Sequence, residues 1–350
     1  MRVFAFGAGD SYTACFNAAL RARGIEVLEA SWSGRWLLAR VRRGDVLHLH
    51  WPSFLYTVPE SRIATWLGLL RFTVLMSLMR ARGASIVWTA HNLYPHDNGH
   101  APVHRLGRRI VVGLASRICV HGPEAAALVR REFNVPAAAL VPVEHGNWID
   151  RYPNTITREL ARQRLDIPRD AFVHLFVGLC KPYKNLELLV RSHAALADAS
   201  RLWIVGRFQS DAYRKRVQQA ITAAGGSQVT LVDTFVADAD LQLYLNACDT
   251  VVLPYRETLT SGAAMLALGF GRPVVGPRLG SLSEVVTDDC GVLYDPEAES
   301  GLVDAMREVQ RRRFDSGRIV ERARQFSWTR SADSFARTVP GGAETPTENR

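Results

Sequence analysis

Phe172-Val173-His174-Leu175-Phe176-Val177-Gly178 is followed by Leu179-Cys180-Lys181-Pro182-Tyr183-Lys184 and then by an amphipathic run from Leu186 to Leu196. A short apolar run closed by glycine predicts a strand buried on both faces, and the run after it predicts a helix. The whole reads as strand, turn, helix. The turn carries two of only three lysines in a chain with forty arginines. Lysine is a compact point charge that grips phosphate without arginine's planar fork. A helix N-terminus favours anions, so two cations there oppose the helix dipole unless an anion is bound. The alternative is a helix start with two solvated cations.

The same alternation extends both ways from this turn. Strand candidates before it are Val3–Gly7, Glu26–Ala30, Val46–His50, Ile86–Thr89, Ile118–His121 and Leu140–Val143. From it onward they are Val173–Gly178, Leu202–Val205, Val229–Val232, Thr250–Leu253, Pro273–Gly276 and Gly291–Leu293. Helical patterns intervene almost every time, which predicts an α/β protein with doubly wound parallel sheets. The series runs twice, separated by a polar stretch from Gly146 to Pro168. The expected architecture is two Rossmann-like domains facing across a cleft, residues 1–150 and 151–339, with a polar, disordered tail at 340–350. Ligands of such sheets lie beyond the carboxyl ends of the strands.

The length of 350 residues allows each domain its own core, and 47% hydrophobic with 22% charged residues is a globular composition. The net charge is +9, which predicts an anionic partner. Residues 1–150 hold 17 arginines and 10 acids, a net +7, while 151–350 carry only +2. The excess thus lies in the half without the lysine pair, which allows two different anionic partners. Cys15, Cys119, Cys180, Cys248 and Cys290 show no metal-ligand spacing and suggest reduced thiols in the cytosol. The opening run Met1 to Gly7 reads as a buried strand rather than a signal peptide.

Ile63 to Met79, interrupted by Arg71, falls short of the roughly 20 apolar residues that a span needs. On a helical projection Thr65, Thr73, Ser77 and Arg80 share a face. Arg71 lies nearly opposite, amid Leu67, Leu70, Val74 and Leu78. That pattern fits a helix lying on a lipid surface, flanked by Arg62, Arg80 and Arg82. The rival pattern is a buried helix whose Arg71 pairs with an acid.

Five strand ends carry chemistry. The first is the Lys181/Lys184 turn. The next strand ends Val205-Gly206-Arg207, a second phosphate contact or a solvated arginine. A third runs through Pro254-Tyr255-Arg256-Glu257 to Ser261-Gly262, which opens a helix. Thr260 or Ser261 can cap that helix, and Gly262 lets a ligand approach its free N–H groups. In the first half, His48-Leu49-His50-Trp51 ends one strand and His91-Asn92-Leu93-Tyr94-Pro95-His96-Asp97 follows another. By period two His48 and His50 share a face. The spacing matches no familiar metal-ligand set, and His with Asp suits general acid–base work. Gly7-Ala8-Gly9 fails the dinucleotide fingerprint at Tyr12 but leaves that loop a candidate cleft lining. Asp238-Ala239-Asp240 precedes a helix and reads as capping rather than metal binding.

Taken together these residues resemble a GT-B glycosyltransferase, and from Val173 to Leu293 the large family 4. The resemblance implies that Lys184 holds the donor diphosphate. Lys181 then substitutes for the family's usual arginine, which is Leu179 here. Asn246 to Pro254 and Gly271-Arg272-Pro273-Val274-Val275 also match, and His91 resembles a cleft histidine. The family's paired glutamates are absent: their positions are Thr258, beside Glu257, and Leu266. Asp45 to Pro52, His91 to Asp97, Lys181 to Lys184 and Pro254 to Gly262 are similar to the GDP-mannose-dependent β-mannosyltransferases of xanthan- and acetan-type exopolysaccharide assembly.

That resemblance implies an inverting transfer of mannose from GDP-mannose to a polyprenyl-diphosphate-linked oligosaccharide, by a cytoplasmic enzyme peripheral to the inner membrane. Lys181, Lys184, Arg207, Ser261 and Gly262 would bind the diphosphate, so that no metal or other cofactor is required. Tyr255, Arg256 and Glu257 would bind nucleotide or sugar. Gly9, Asp10, Tyr12, His50, Trp51 and Asn92 would line the acceptor cleft. Asp97, then His96 and His91, are the candidate bases. The partners implied are a nucleotide sugar, a lipid-linked glycan and an anionic membrane surface. A retaining family 4 enzyme with another nucleotide sugar shares every phosphate feature. A basic nucleic-acid-binding protein is the non-enzyme alternative, against which stands the lack of any repeated basic-aromatic stripe or named module.

Overall fold

Runs rich in Val, Leu, Ile and Phe become parallel strands because only a central strand covered on both faces buries every side chain. In the computed structural model, which describes residues 2–339 apart from 8, 10, 96–100 and 227, these runs form two six-stranded parallel sheets. The first comprises β1 (Arg2–Phe6), β2 (Glu26–Glu29), β3 (Val46–Leu49), β4 (Ser85–Thr89), β5 (Arg117–Val120) and β6 (Leu140–Pro142). The second comprises β7 (Val173–Val177), β8 (Arg201–Val205), β9 (Val229–Val232), β10 (Thr250–Val252), β11 (Val274–Pro277) and β12 (Gly291–Tyr294). Every expected strand is present, within one or two residues at its ends.

Strand order is β2-β1-β3-β4-β5-β6 in the first sheet and β12-β11-β10-β7-β8-β9 in the second. The order reverses between β1 and β3 in one and between β7 and β10 in the other. Those reversals open the crevices where doubly wound sheets hold ligands.

The chain divides into two compact units, residues 1–146 with 327 onward, and 147–326. This differs from the expected continuous second domain at 151–339. The helix Trp328–Thr338 returns to the first unit, where Phe335 is fully buried. Phe335 meets Phe16 at 5.4 Å and His48 at 4.6 Å between ring centroids. Ser331 Oγ donates to the Glu144 carbonyl (2.6 Å), and Arg330 pairs with Glu144. Period alone says that this helix has an apolar face, not which sheet receives it. Residues 340–350, the expected tail, lie outside the described residues.

In the first unit the helix Arg62–Ala81 buries Leu69, Phe72, Met76 and Met79. Its opposite face leaves Ile63, Leu67, Leu70 and Val74 more than half exposed. Among the described residues it is the one helix long and apolar enough to cross a membrane. Among the described residues Arg71 pairs with no acid; it donates to the Trp32 carbonyl (3.3 Å).

Candidate active site

In the second unit the loops after β7, β8 and β10 are joined by backbone bonds. Cys180 N–H donates to Arg207 O, Gln209 N–H to Cys180 O, and Arg256 N–H to Tyr183 O, each at 2.9 Å. The Arg256 guanidinium also donates to Asn185 Oδ1 (3.0 Å). Two glycines permit this closeness. Gly178 and Gly206 have φ of +126° and +146°, and a Cβ on Gly206 would overlap the Gly178 carbonyl oxygen.

The two lysines do not sit on the first turn of the following helix. Lys181 precedes and Lys184 ends a short 3₁₀ turn, Pro182–Lys184, and left-handed Asn185 then starts the helix Leu186–Ala194. Nor are both solvated: Lys181 is half-buried and Lys184 buried. Lys184 Nζ lies over the rings of Phe176 and Tyr255. Burial, with repulsion from Lys181, pushes its pKa down to about 8. A buried ammonium without an anion is costly, whereas a bound diphosphate would restore it.

Tyr255 is buried and bonded to Ser261, while Arg256, Glu257 and Arg207 are exposed around the same loops. Ser261 caps the helix Gly262–Gly269, its Oγ accepting from Ala264 N–H (3.2 Å). Its hydroxyl is therefore engaged, and any anion there meets the first N–H groups of that helix. Trp148 Nε1 donates to the Gly262 carbonyl (2.9 Å), fixing the helix start. Leu179 is exposed.

The first unit gathers its histidines at the carboxyl ends of successive strands. His48 and His50 end β3, their rings 4.1 Å apart, as period two requires. His50 Nδ1 is 3.1 Å from His91 Nε2, beyond β4. Trp51 stacks on His91 at 4.5 Å. The Tyr12 ring contacts His50, His91, His121, His145 and Trp328 at 4.5–5.6 Å. His121 directly follows β5 and closes an apolar run as His50 does, whereas His145 lies beyond β6 after Glu144; neither is among the sequence candidates. Burial lowers all five imidazoles, His121 to about 4 and His48 and His145 to about 3. Among the described residues no set of three or more His, Cys, Asp or Glu converges as a metal would require.

Asn92 is half-buried and its Oδ1 accepts from Arg108 (3.2 Å), whose Nε donates to the Leu93 carbonyl (2.7 Å). Arg108 is buried against Trp88, and that burial lowers its pKa to about 10. This arginine, absent from the sequence candidates, anchors the loop that begins at His91. Gly9 is exposed at a φ of +126°. Asp10, His96 and Asp97 lie outside the described residues. Asp238 and Asp240 provide no side-chain cap: Asp238 pairs with Arg151 (2.8 Å), and Asp240 starts its helix without a capping bond.

Two doubly wound parallel sheets with these strand orders are the GT-B fold, and the family and relatives that match the chain are glycosyltransferases. Residues 171–311 match the family described as Glycosyl transferases group 1. The chain is similar to the GDP-mannose:glycolipid 4-beta-D-mannosyltransferase of Xanthomonas campestris pv. campestris, 28% identical over 78% of this chain and 73% of that one. It is also 28% identical to the D-inositol 3-phosphate glycosyltransferase of Geodermatophilus obscurus, over 74% of this chain and 62% of that one. In fold it resembles the sucrose-phosphate synthase of Thermosynechococcus elongatus (TM-score 0.74, 18% identity, 96% of this chain and 98% of that one). Anabaena HepE, solved with UDP, is similar (TM-score 0.71, 17% identity, 96% and 98%).

Proposed function

We propose that the protein transfers mannose from GDP-mannose to a polyprenyl-diphosphate-linked oligosaccharide in exopolysaccharide assembly, with inversion at the anomeric carbon. The observation that carries the donor half is the meeting of the β7, β8 and β10 loops around buried Lys184. Lys181, Lys184, Arg207 and the N–H groups opening at Gly262 neutralise the departing diphosphate, with Ser261 holding that helix start. Preorganised charge of this kind is usually the largest catalytic contribution. No divalent cation is then needed. Tyr255, Arg256 and Glu257 border the nucleotide and sugar. The choice of mannose and of a glycolipid rests on the Xanthomonas relative.

On the acceptor side, Gly9, Asp10, Tyr12, His50, Trp51 and Asn92 line the cleft. A base on the His91 to Asp97 loop takes the acceptor hydroxyl proton, with Asp97 the first candidate, then His96 and His91. The enzyme works at the cytoplasmic face of the inner membrane. Ile63, Leu67, Leu70 and Val74 enter the lipid boundary while Arg62, Arg71 and Arg82 meet anionic headgroups. No nucleic acid is a partner.

The test is turnover of GDP-mannose against other nucleotide sugars with a lipid-diphosphate glycan, followed by NMR of the product's anomeric configuration. A β-mannoside from GDP-mannose is expected. The similarity to inositol 3-phosphate glycosyltransferases favours a second reading, a family 4 enzyme that retains configuration and uses another donor. An α-product or a different nucleotide sugar would select it.

A further inference from the structure

The pair His50 and His91 has one proton to place between two nitrogens 3.1 Å apart. Both rings are held neutral by burial among other histidines. If His91 Nε2 carried the proton, His50 would accept at Nδ1 and carry its own hydrogen on Nε2. That Nε2 is buried and has no hydrogen-bond partner among the described residues. An orphaned buried N–H is rarer and costlier than a bare acceptor nitrogen. The proton therefore belongs on His50 Nδ1, which donates to His91 Nε2. His91 must then carry its hydrogen on Nδ1.

The packing fixes both rings in this arrangement. His50 is 1% exposed and wedged between His48 at 4.1 Å and Tyr12 at 5.6 Å. His91 is clamped by Trp51, stacked at 4.5 Å, and by the edge of Tyr12 at 4.5 Å. His91 is the half-exposed member.

We propose that His50 is a positioning residue: it holds His91 as the neutral Nδ1–H tautomer, which makes His91 a fixed hydrogen-bond donor to a substrate oxygen. With Nε2 occupied and Nδ1 protonated, His91 has no lone pair to offer, so the duty of base passes to another residue of its loop. The role toward substrate rests on the reading above that places His91 in the acceptor cleft. The tautomer itself does not.

The experiment uses the full chain, labelled with ¹⁵N-histidine, and long-range ¹H–¹⁵N correlation at pH 7.5, with His91→Phe to assign the resonance. The expected spectrum shows His91 protonated on Nδ1. In His50→Phe, which keeps a ring but loses the donor, His91 should revert to the Nε2–H form that free histidine prefers. The kcat/KM should fall about tenfold, the worth of one hydrogen bond. His50→Asn, whose amide N–H lies near the lost Nδ1, should keep the tautomer and regain most of the rate. A native His91 protonated on Nε2, or a tautomer unmoved in His50→Phe, would overturn the proposal. Should His50→Phe not fold, the native and His50→Asn spectra still decide it. Loss of the GDP-mannose activity alone would count against the proposed substrate, because the tautomer is read without substrate.

Discussion

Lys184 Nζ lies 5.6 Å from the ring centroid of Tyr255 and 5.3 Å from that of Phe176. One ring comes from the loop after β10 and the other from β7 itself, so the ammonium sits where the strand order reverses. Its charge is buried ahead of any ligand, and that has consequences for both stability and turnover.

Replacing Lys184 with Met keeps the volume and removes the charge. The kcat/KM should fall about 10²–10³-fold, the range seen when one preorganised donor to a developing charge is lost. Thermal stability without ligand should stay level or rise, since an uncompensated buried charge disappears. A variant with near-native turnover would remove Lys184 from the diphosphate site.

The same lysine sets a pH dependence. Its pKa is about 8 in the fold against 10.5 for an ordinary lysine. Between those values the unfolded chain holds a proton that the fold has released, so ligand-free stability gains from this group as pH rises through that window. Donor binding needs the cation and should behave oppositely. Calorimetric titration with GDP should show affinity level below about pH 8 and falling by up to tenfold per unit above it.

The histidine cluster has the complementary dependence. His48, His121 and His145 titrate near 3 to 4 in the fold and near 6.5 when unfolded. Their contribution is complete above pH 6.5 and is lost as pH falls toward the folded values. Each should cost about 1.4 kcal/mol per pH unit within that window. Melting curves from pH 7.5 to 4.5 should show a steep decline, made shallower by His121→Phe. An equal slope in that variant would refute this origin.

Leu67→Glu with Leu70→Glu places two carboxylates on an exposed face, so folding should change by less than about 1 kcal/mol. Sedimentation with anionic vesicles at low salt should be abolished, while binding of GDP is unchanged. Equal sedimentation of both proteins would rule out this helix as the lipid contact.

A divalent chelator should leave mannosyl transfer unaltered if lysines, arginine and amides carry the diphosphate charge. Turnover that stops with EDTA and returns with Mg²⁺ would show that a cation shares the role.

Much of this site was legible because strands announce themselves as apolar runs and their carboxyl ends hold the ligand groups. Lys181, Lys184, Tyr255 and His50 could be picked from their positions after such runs. Arg108 could not. It lies inside a helix, well past the carboxyl end of β4, and earns its place only by reaching back to Asn92 and Leu93. Ser261 was legible as a cap and is one; Asp238 and Asp240 looked like caps and are not, because Arg151 draws Asp238 into an ion pair.

The sequence by itself determined the twelve strands, their parallel pairing and the phosphate-suited loop after β7, because hydrophobic period and composition are local properties. Tertiary structure alone decided three things. It returned the helix Trp328–Thr338 to the first unit, gathered four histidines around Tyr12, and turned Lys184 inward against two rings. Each depends on contacts between residues far apart in the chain, and burial, which sets their protonation, exists only once those contacts form.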